Sequence, residues 1–228
     1  RSLSQDLTVR IRFSAILSEQ PLNIIRKSEG NRMANEKVIV LDFGGQYNQL
    51  IARRVREAGV FSEVIPYNTP IEKYFSPELK GVILTGGPNS AYVPEALKCA
   101  PEVFELGIPV LGICYGMQLM AHMLGGEVGT APVSEFGFTT MHTADHAMFK
   151  DIQGETVVWM NHHDYVAELP NGFHSIATTA HCPNAAMAND EKKLYGMQFH
   201  PEVNHTKRGF DMLKNFLFEI CGCEGGWS

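Results

Sequence analysis

The stretch Val110-Leu111-Gly112-Ile113-Cys114-Tyr115-Gly116 decides the fold. Residues 110–113 are apolar or small, as a short strand buried on both faces of a parallel sheet would be. Residues 115–124 read as a helix closed by Gly125-Gly126. Cys114 therefore stands on a strand-to-helix junction, with a glycine two residues away on either side. That is the G-x-nucleophile-x-G form of a nucleophile elbow, a sharp turn with no room for a side chain beside it. A thiol there lies at the amino end of a helix, where the dipole and unpaired N–H groups favour thiolate over thiol. The N–H of Tyr115 would face an oxyanion forming beside the sulfur. The pentapeptide alone fits a buried core cysteine equally well.

Upstream, strands and helices alternate. Residues 38–43 are almost wholly apolar and read as a first strand. Residues 46–58 place Tyr47, Leu50, Ile51, Val55 and Ala58 on one helical face, stopped by Gly59. Residues 60–65 and 81–85 are the next strands, and residues 95–106 a helix disturbed by Pro101. After Gly126 the texture is richer in strand, with candidates at 136–141, 157–160, 173–178 and 194–199. Residues 207–220 form a last helix with Phe210, Leu213, Phe216, Leu217 and Ile220 inward. The expected architecture is α/β: a doubly wound, mostly parallel sheet flanked by helices, with a more β-rich second half. Chemistry on such a sheet collects in loops at the strands' carboxyl ends.

Two further segments bear on Cys114. His200-Pro201-Glu202 follows an apolar strand, and in extended chain residues two apart share a face. Pro201 stiffens that geometry, and a carboxylate beside an imidazole fixes its tautomer and stabilises the imidazolium. Thr85-Gly86-Gly87-Pro88 is a second glycine turn after a parallel strand, able to offer another backbone N–H to the same oxyanion.

Bulk properties narrow the class. The chain has 228 residues, enough for one α/β domain with a full core. A net charge of -6 argues against a nucleic-acid binder, and no apolar run reaches membrane-spanning length. Five cysteines without framework spacing read as reduced thiols, which points to the cytoplasm. Residues 1–32 differ in texture, carrying six basic residues against three acidic ones. They are expected to be a disordered or artefactual extension, with Met33 the natural start of a domain running to 220.

Taken together, the elbow, the upstream Gly-Gly-Pro loop and the downstream His-Pro-Glu resemble class I (triad-type) glutamine amidotransferase domains, over roughly residues 37–223. Within that family the likeness is closest to the GMP synthase branch. It is carried by Leu41-Asp42-Phe43-Gly44-Gly45-Gln46-Tyr47, Cys114-Tyr115-Gly116-Met117-Gln118, Glu135-Phe136-Gly137, Gln198-Phe199-His200-Pro201-Glu202-Val203 and Ile220-Cys221-Gly222-Cys223. The resemblance implies Cys114 as nucleophile, His200 as general acid/base and Glu202 as its orienting carboxylate. It implies the N–H groups of Gly87 and Tyr115 as oxyanion hole, and Gln118, Asn161 and Asp164 as the groups that hold glutamine. An amide and a carboxylate suit the substrate's α-carboxyl and α-amino groups. Trp159-Met160-Asn161-His162-His163-Asp164 departs from the commonest family pattern, with Asn161 where Ser is usual and His163 where Gly is usual. His163 is expected to alter that loop's backbone.

The resemblance also implies a partner: an ATP-pyrophosphatase domain or subunit that aminates XMP. ATP and Mg belong there, and no cofactor or metal is expected in this domain. Residues 221–228 are expected to begin the linker toward it. Two other readings stand beside this one, a stand-alone γ-glutamyl cysteine hydrolase and a catalytically silent glutamine-sensing module.

Weaker matches are set aside. Asp42-Phe43-Gly44 has the kinase tripeptide without its companion loops. Thr85-Gly86-Gly87-Pro88-Asn89-Ser90 lacks the donor and the acid of a pyrophosphate loop. His142, His146, His162, His163 and His181 have no metal-ligand spacing and read as solvated or hydrogen-bonded. Cys221-Gly222-Cys223 is expected to be spacer, and Met117, Met120 and Met123 core packing.

Overall fold

The computed structural model describes residues 36–228, so the expected extension at 1–32 lies outside the described residues. Nine strands form one sheet in the order β2-β1-β3-β4-β9-β8-β7-β5-β6. Strands β1 (Lys37–Asp42), β2 (Phe61–Pro66), β3 (Leu79–Leu84), β4 (Val110–Ile113) and β9 (Leu194–Met197) pair in parallel. Strands β5 (Glu127–Thr143), β6 (Gly154–Glu168), β7 (His174–Thr179) and β8 (Ala186–Asn189) continue it antiparallel, β8 pairing with β9. Parallel and antiparallel halves are thus about equal, more evenly mixed than expected.

Burial explains the parallel half. Val38 to Leu41, all of β4 and all of β9 are buried, which suits a sheet layer covered on both faces. Helix α1 (Asn48–Glu57) buries Ile51, Ala52 and Val55, and each large side chain removed from water contributes about 1.5–3 kcal/mol. Helix α2 (Tyr115–Met123) is buried from Tyr115 through Ala121.

The register fixes where loops emerge. Ile113 of β4 pairs with Met197 of β9, and Leu84 of β3 with Gly112 of β4. The segments after these three parallel strands, which begin at Thr85, Cys114 and Gln198, therefore leave the same edge of the sheet side by side.

Several expectations are corrected. The helix at 95–106 is only a 3₁₀ turn, Pro101–Glu105. Pro101 holds Ala100 in extended backbone, and Gly107 turns away at φ 75°. The last helix, α3, spans Gly209–Asn215 and continues as a π-helical turn, Phe216–Ile220. It starts late because Arg208 is left-handed; Gly209 then opens the helix pressed against Pro201, whose carbonyl oxygen would stand 2.2 Å from a Cβ there. Strands β5 and β6 run far beyond 136–141 and 157–160, as one long hairpin with a register break between Thr130 and Glu135. Strand β8 was not foreseen: Ala-Met-Ala-Asn has little strand propensity and forms one because it is buried between β7 and β9.

Candidate active site

Cys114 caps α2 at φ 53°, ψ −109°, a strained conformation for a residue with a side chain. Its N–H donates to the Met197 carbonyl at 2.7 Å, and its carbonyl accepts from the Gln118 N–H at 3.1 Å. Both flanking glycines are sterically required. A Cβ on Gly112 would lie 2.5 Å from the Gly116 and Met117 backbone, and one on Gly116 would lie 2.4 Å from the Leu84 carbonyl oxygen.

His200 and Glu202 come from the segment after β9. Glu202 sits in a turn and His200 just before it, past the end of β9, so alternation along a strand does not explain their pairing. Other contacts hold the turn. The His200 N–H donates to the Trp159 carbonyl at 3.2 Å, its carbonyl accepts from Thr206 Oγ1 at 2.6 Å, and Arg54 Nε donates to the Glu202 carbonyl at 3.1 Å. Within it His200 Nδ1 meets Glu202 Oε1 at 2.8 Å, with both side chains buried. His200 and Cys114 line the same cavity. Burial pulls the His200 pKa down, but the hydrogen bonds and charges of Cys114 and Glu202 outweigh it and hold the imidazole well above its ordinary range.

This has a testable consequence. The folded-state value lies above the unfolded one, so the pair's stabilisation is present below the ordinary imidazole range and is lost as pH rises through the raised value. Glu202→Gln removes one of the raising groups. The His200 titration, followed by NMR of labelled imidazole, is expected to move to lower pH, and an unchanged titration contradicts this assignment.

The glycine loop closes the third side. Thr85 is fully buried and its Oγ1 accepts from the Phe43 N–H at 3.1 Å. The Cβ position of Gly86 lies 3.6 Å from His200 Cε1 and 4.0 Å from Cys114 Cβ. That of Gly87 lies 3.0 Å from the Tyr115 ring and 3.1 Å from the Phe43 carbonyl. Tyr115 is the first residue of α2, so its N–H belongs to the turn without intrahelical acceptors.

Two cavities meet at Cys114, each also bounded by Gly87 and Asn161. One, about 330 Å³, extends past His200 and Glu202 to Tyr47 and Asn48. The other, about 320 Å³, contains Gln118, Asn161 and Asp164 together, the three residues expected to hold substrate. Gln118 Nε2 donates to the Asp164 carbonyl at 2.9 Å and to Gln198 Oε1 at 3.1 Å. The Asp164 carboxylate is bound by the hydroxyls of Ser90, Thr130 and Tyr92. His163 adopts no positive φ, so the strand accepts a side chain where the family pattern has glycine. It reaches Ser134 Oγ at 3.0 Å and packs edge-on against exposed Phe136.

Sequence reasoning gave no role to Gln198, which is fully buried and whose Nε2 donates to Cys114 Sγ at 3.6 Å. Its place two residues before His200, in a strand-end motif, was the available signal. Ser90, Tyr92 and Thr130 carried no signal, because only the fold brings them to Asp164.

A cysteine on a strand–helix elbow beside a carboxylate-oriented histidine defines a class of α/β domain built for acyl transfer through sulfur. The family model of Glutamine amidotransferase class-I matches residues 39–220, and the chain belongs to that family. It is 59% identical over 196 residues to the GMP synthase [glutamine-hydrolyzing] of Acetivibrio thermocellus, covering 86% of this chain and 38% of that protein. The Bacillus subtilis protein of the same name is 53% identical over 200 residues, covering 86% and 39%. The chain thus spans about two fifths of the curated relatives it matches. A solved structure from Thermoplasma acidophilum, assigned as a GMP synthase subunit, superposes with a TM-score of 0.74 at 33% identity, covering 82% of this chain and 94% of that one. Among the described residues no helix is long and apolar enough to cross a membrane.

Proposed function

We propose that this chain is the glutamine-hydrolysing component of a GMP synthase. It releases ammonia that an ATP-dependent synthetase uses to aminate XMP. The observation that carries the reading is that Cys114 and His200, the latter held by Glu202 at 2.8 Å, line one cavity just past the ends of neighbouring parallel strands. The likeness to GMP synthases supports the choice of pathway.

Glutamine enters the cavity of Gln118, Asn161 and Asp164. Both donor hydrogens of Gln118 are engaged within the protein, so its Oε1 is the atom left to accept from substrate. Cys114 passes its proton to His200, and the sulfur attacks the side-chain amide carbon. The N–H groups of Gly87 and Tyr115 stabilise the resulting oxyanion. The C–N bond breaks as His200 protonates the leaving nitrogen, giving ammonia and a glutamyl thioester. His200 then takes a proton from water, whose oxygen attacks the thioester. Glutamate leaves and the sulfur is restored.

We place the domain at 33–220 and the linker toward the synthetase, where ATP and Mg act, at 221–228, with Cys223 and Trp227 packed back on the domain. The setting is the cytoplasm. The test is glutamate release from glutamine by the full chain, alone and with the synthetase part of a GMP synthase plus XMP and ATP. Turnover is expected to rise when the partner and its substrates are present. Equal turnover in both conditions favours a stand-alone γ-glutamyl hydrolase, and glutamine binding without turnover in either favours a silent sensor.

A further inference from the structure

In the wall of the glutamine cavity, which His162 helps to line, lies a second histidine–carboxylate pair, separate from His200 and Glu202. His162 and Glu135 are buried, with side chains 1% and 4% exposed, and face each other across the β5–β6 hairpin. His162 Nε2 lies 3.1 Å from Glu135 Oε2, and Thr179 Oγ1 donates to Glu135 Oε1 at 2.6 Å. The other ring nitrogen, Nδ1, lies 2.9 Å from the Asp164 carbonyl oxygen. A carbonyl can only accept, so Nδ1 carries a hydrogen, and the remaining contact needs a proton between Nε2 and Oε2. The same Asp164 carbonyl accepts from Gln118 Nε2. One oxygen therefore joins the buried pair to the two expected substrate holders, Gln118 and Asp164.

We propose that His162 and Glu135 are positioning residues for glutamine. They hold the Asp164 carbonyl where it fixes the Gln118 amide, and so set the shape of the substrate cavity through their buried side chains. The sequence around them explains the need. The hairpin loses its regular pairing between Thr130 and Glu135, opposite the Asp164 segment, so the ladder cannot order this stretch. A donor from His162 replaces the missing constraint. The inference rests on the proposed glutaminase reading.

The test compares Glu135→Ala, Glu135→Gln, His162→Ala and His162→Asn in the full chain. The readouts are glutaminase kinetics and the glutamine concentration that half-protects Cys114 from iodoacetamide. Glu135→Ala and His162→Ala are expected to raise KM and the half-protecting concentration roughly tenfold or more, with kcat within about threefold. Glu135→Gln keeps both contacts, its amide donating to Nε2 and its oxygen accepting from Thr179, and is expected to stay within about threefold of the parent on every readout. In His162→Asn the short amide supplies the Nδ1-like donor and is expected to recover much of the loss. These two variants keep the proposal testable where an alanine variant fails to fold.

An unchanged KM in His162→Ala overturns the proposal, as does a loss confined to kcat. A Glu135→Gln variant as impaired as Glu135→Ala also overturns it. Cys182 lies close enough that Sγ, a Glu135 oxygen and a His162 nitrogen fall within 4.8 Å of one another. Stoichiometric zinc in the purified parent, lost in Glu135→Gln, would replace the positioning role with a metal site. Absence of glutamine turnover in the parent itself would instead defeat the glutaminase reading.

Discussion

Cys114→Ala is expected to abolish glutamate release from glutamine, a loss of at least about 10⁴-fold, with the fold preserved. The size follows from the lack of a second reactive thiol among the described residues. Burial pushes the thiols of Cys99, Cys182 and Cys223 up to about 12, and that of Cys221 well above its usual value. Such thiols stay protonated and inert at neutral pH. The fold should survive because Cys114 is only half-buried and its backbone is held by the Met197 carbonyl and by α2. A coupled glutamate assay, with a thermal melt beside it, checks both halves. Retained turnover in a folded variant removes Cys114 from the chemistry.

Gly116→Ala is expected to cost about 3 kcal/mol of stability, the upper end for overpacking, and to suppress turnover in whatever protein folds. The added methyl would meet the Leu84 carbonyl oxygen at 2.4 Å and the Leu84 Cβ at 2.7 Å. Leu84 ends β3, a central parallel strand paired on both sides, so its backbone cannot yield without moving the sheet. If α2 moves instead, Cys114 leaves His200 and the glycine loop. Gly129→Ala is the control, since its Cβ meets nothing within 4 Å and it needs no positive φ, and it should change stability by less than about 0.5 kcal/mol. Urea denaturation of the two variants gives the comparison. Equal midpoints would mean that close approach is not why the elbow carries glycine.

The parallel half of the sheet was legible chiefly through its central strands, which are almost wholly apolar runs, as at residues 38–43 and 110–113. The junction at Cys114 was legible for the same reason. Strand β8 was not, because its residues are strand only through burial between neighbours. The 95–106 segment misled because apolar spacing outweighed Pro101 and Gly107, and the backbone obeys the latter. His200 and Glu202 were found as a pair, but for a reason the turn does not share: side-chain donors of Arg54 and Thr206 on their carbonyls, and the Trp159 carbonyl accepting from the His200 N–H, hold them together. Arg54 and Trp159 lie far away in sequence, as do the hydroxyls on Asp164 and the pairing of Glu135 with His162. Local pattern reports which residues could act, whereas what orients them is written in long-range contacts.

The most direct measurement is covalent labelling with a chloroketone analogue of glutamine, followed by peptide mass spectrometry. The prediction is one adduct per chain, on Cys114, slowed by excess glutamine and absent from Cys114→Ala. Label on any of the other four cysteines, or a fully unlabelled chain that still hydrolyses glutamine, would contradict the assignment of Cys114 as the nucleophile.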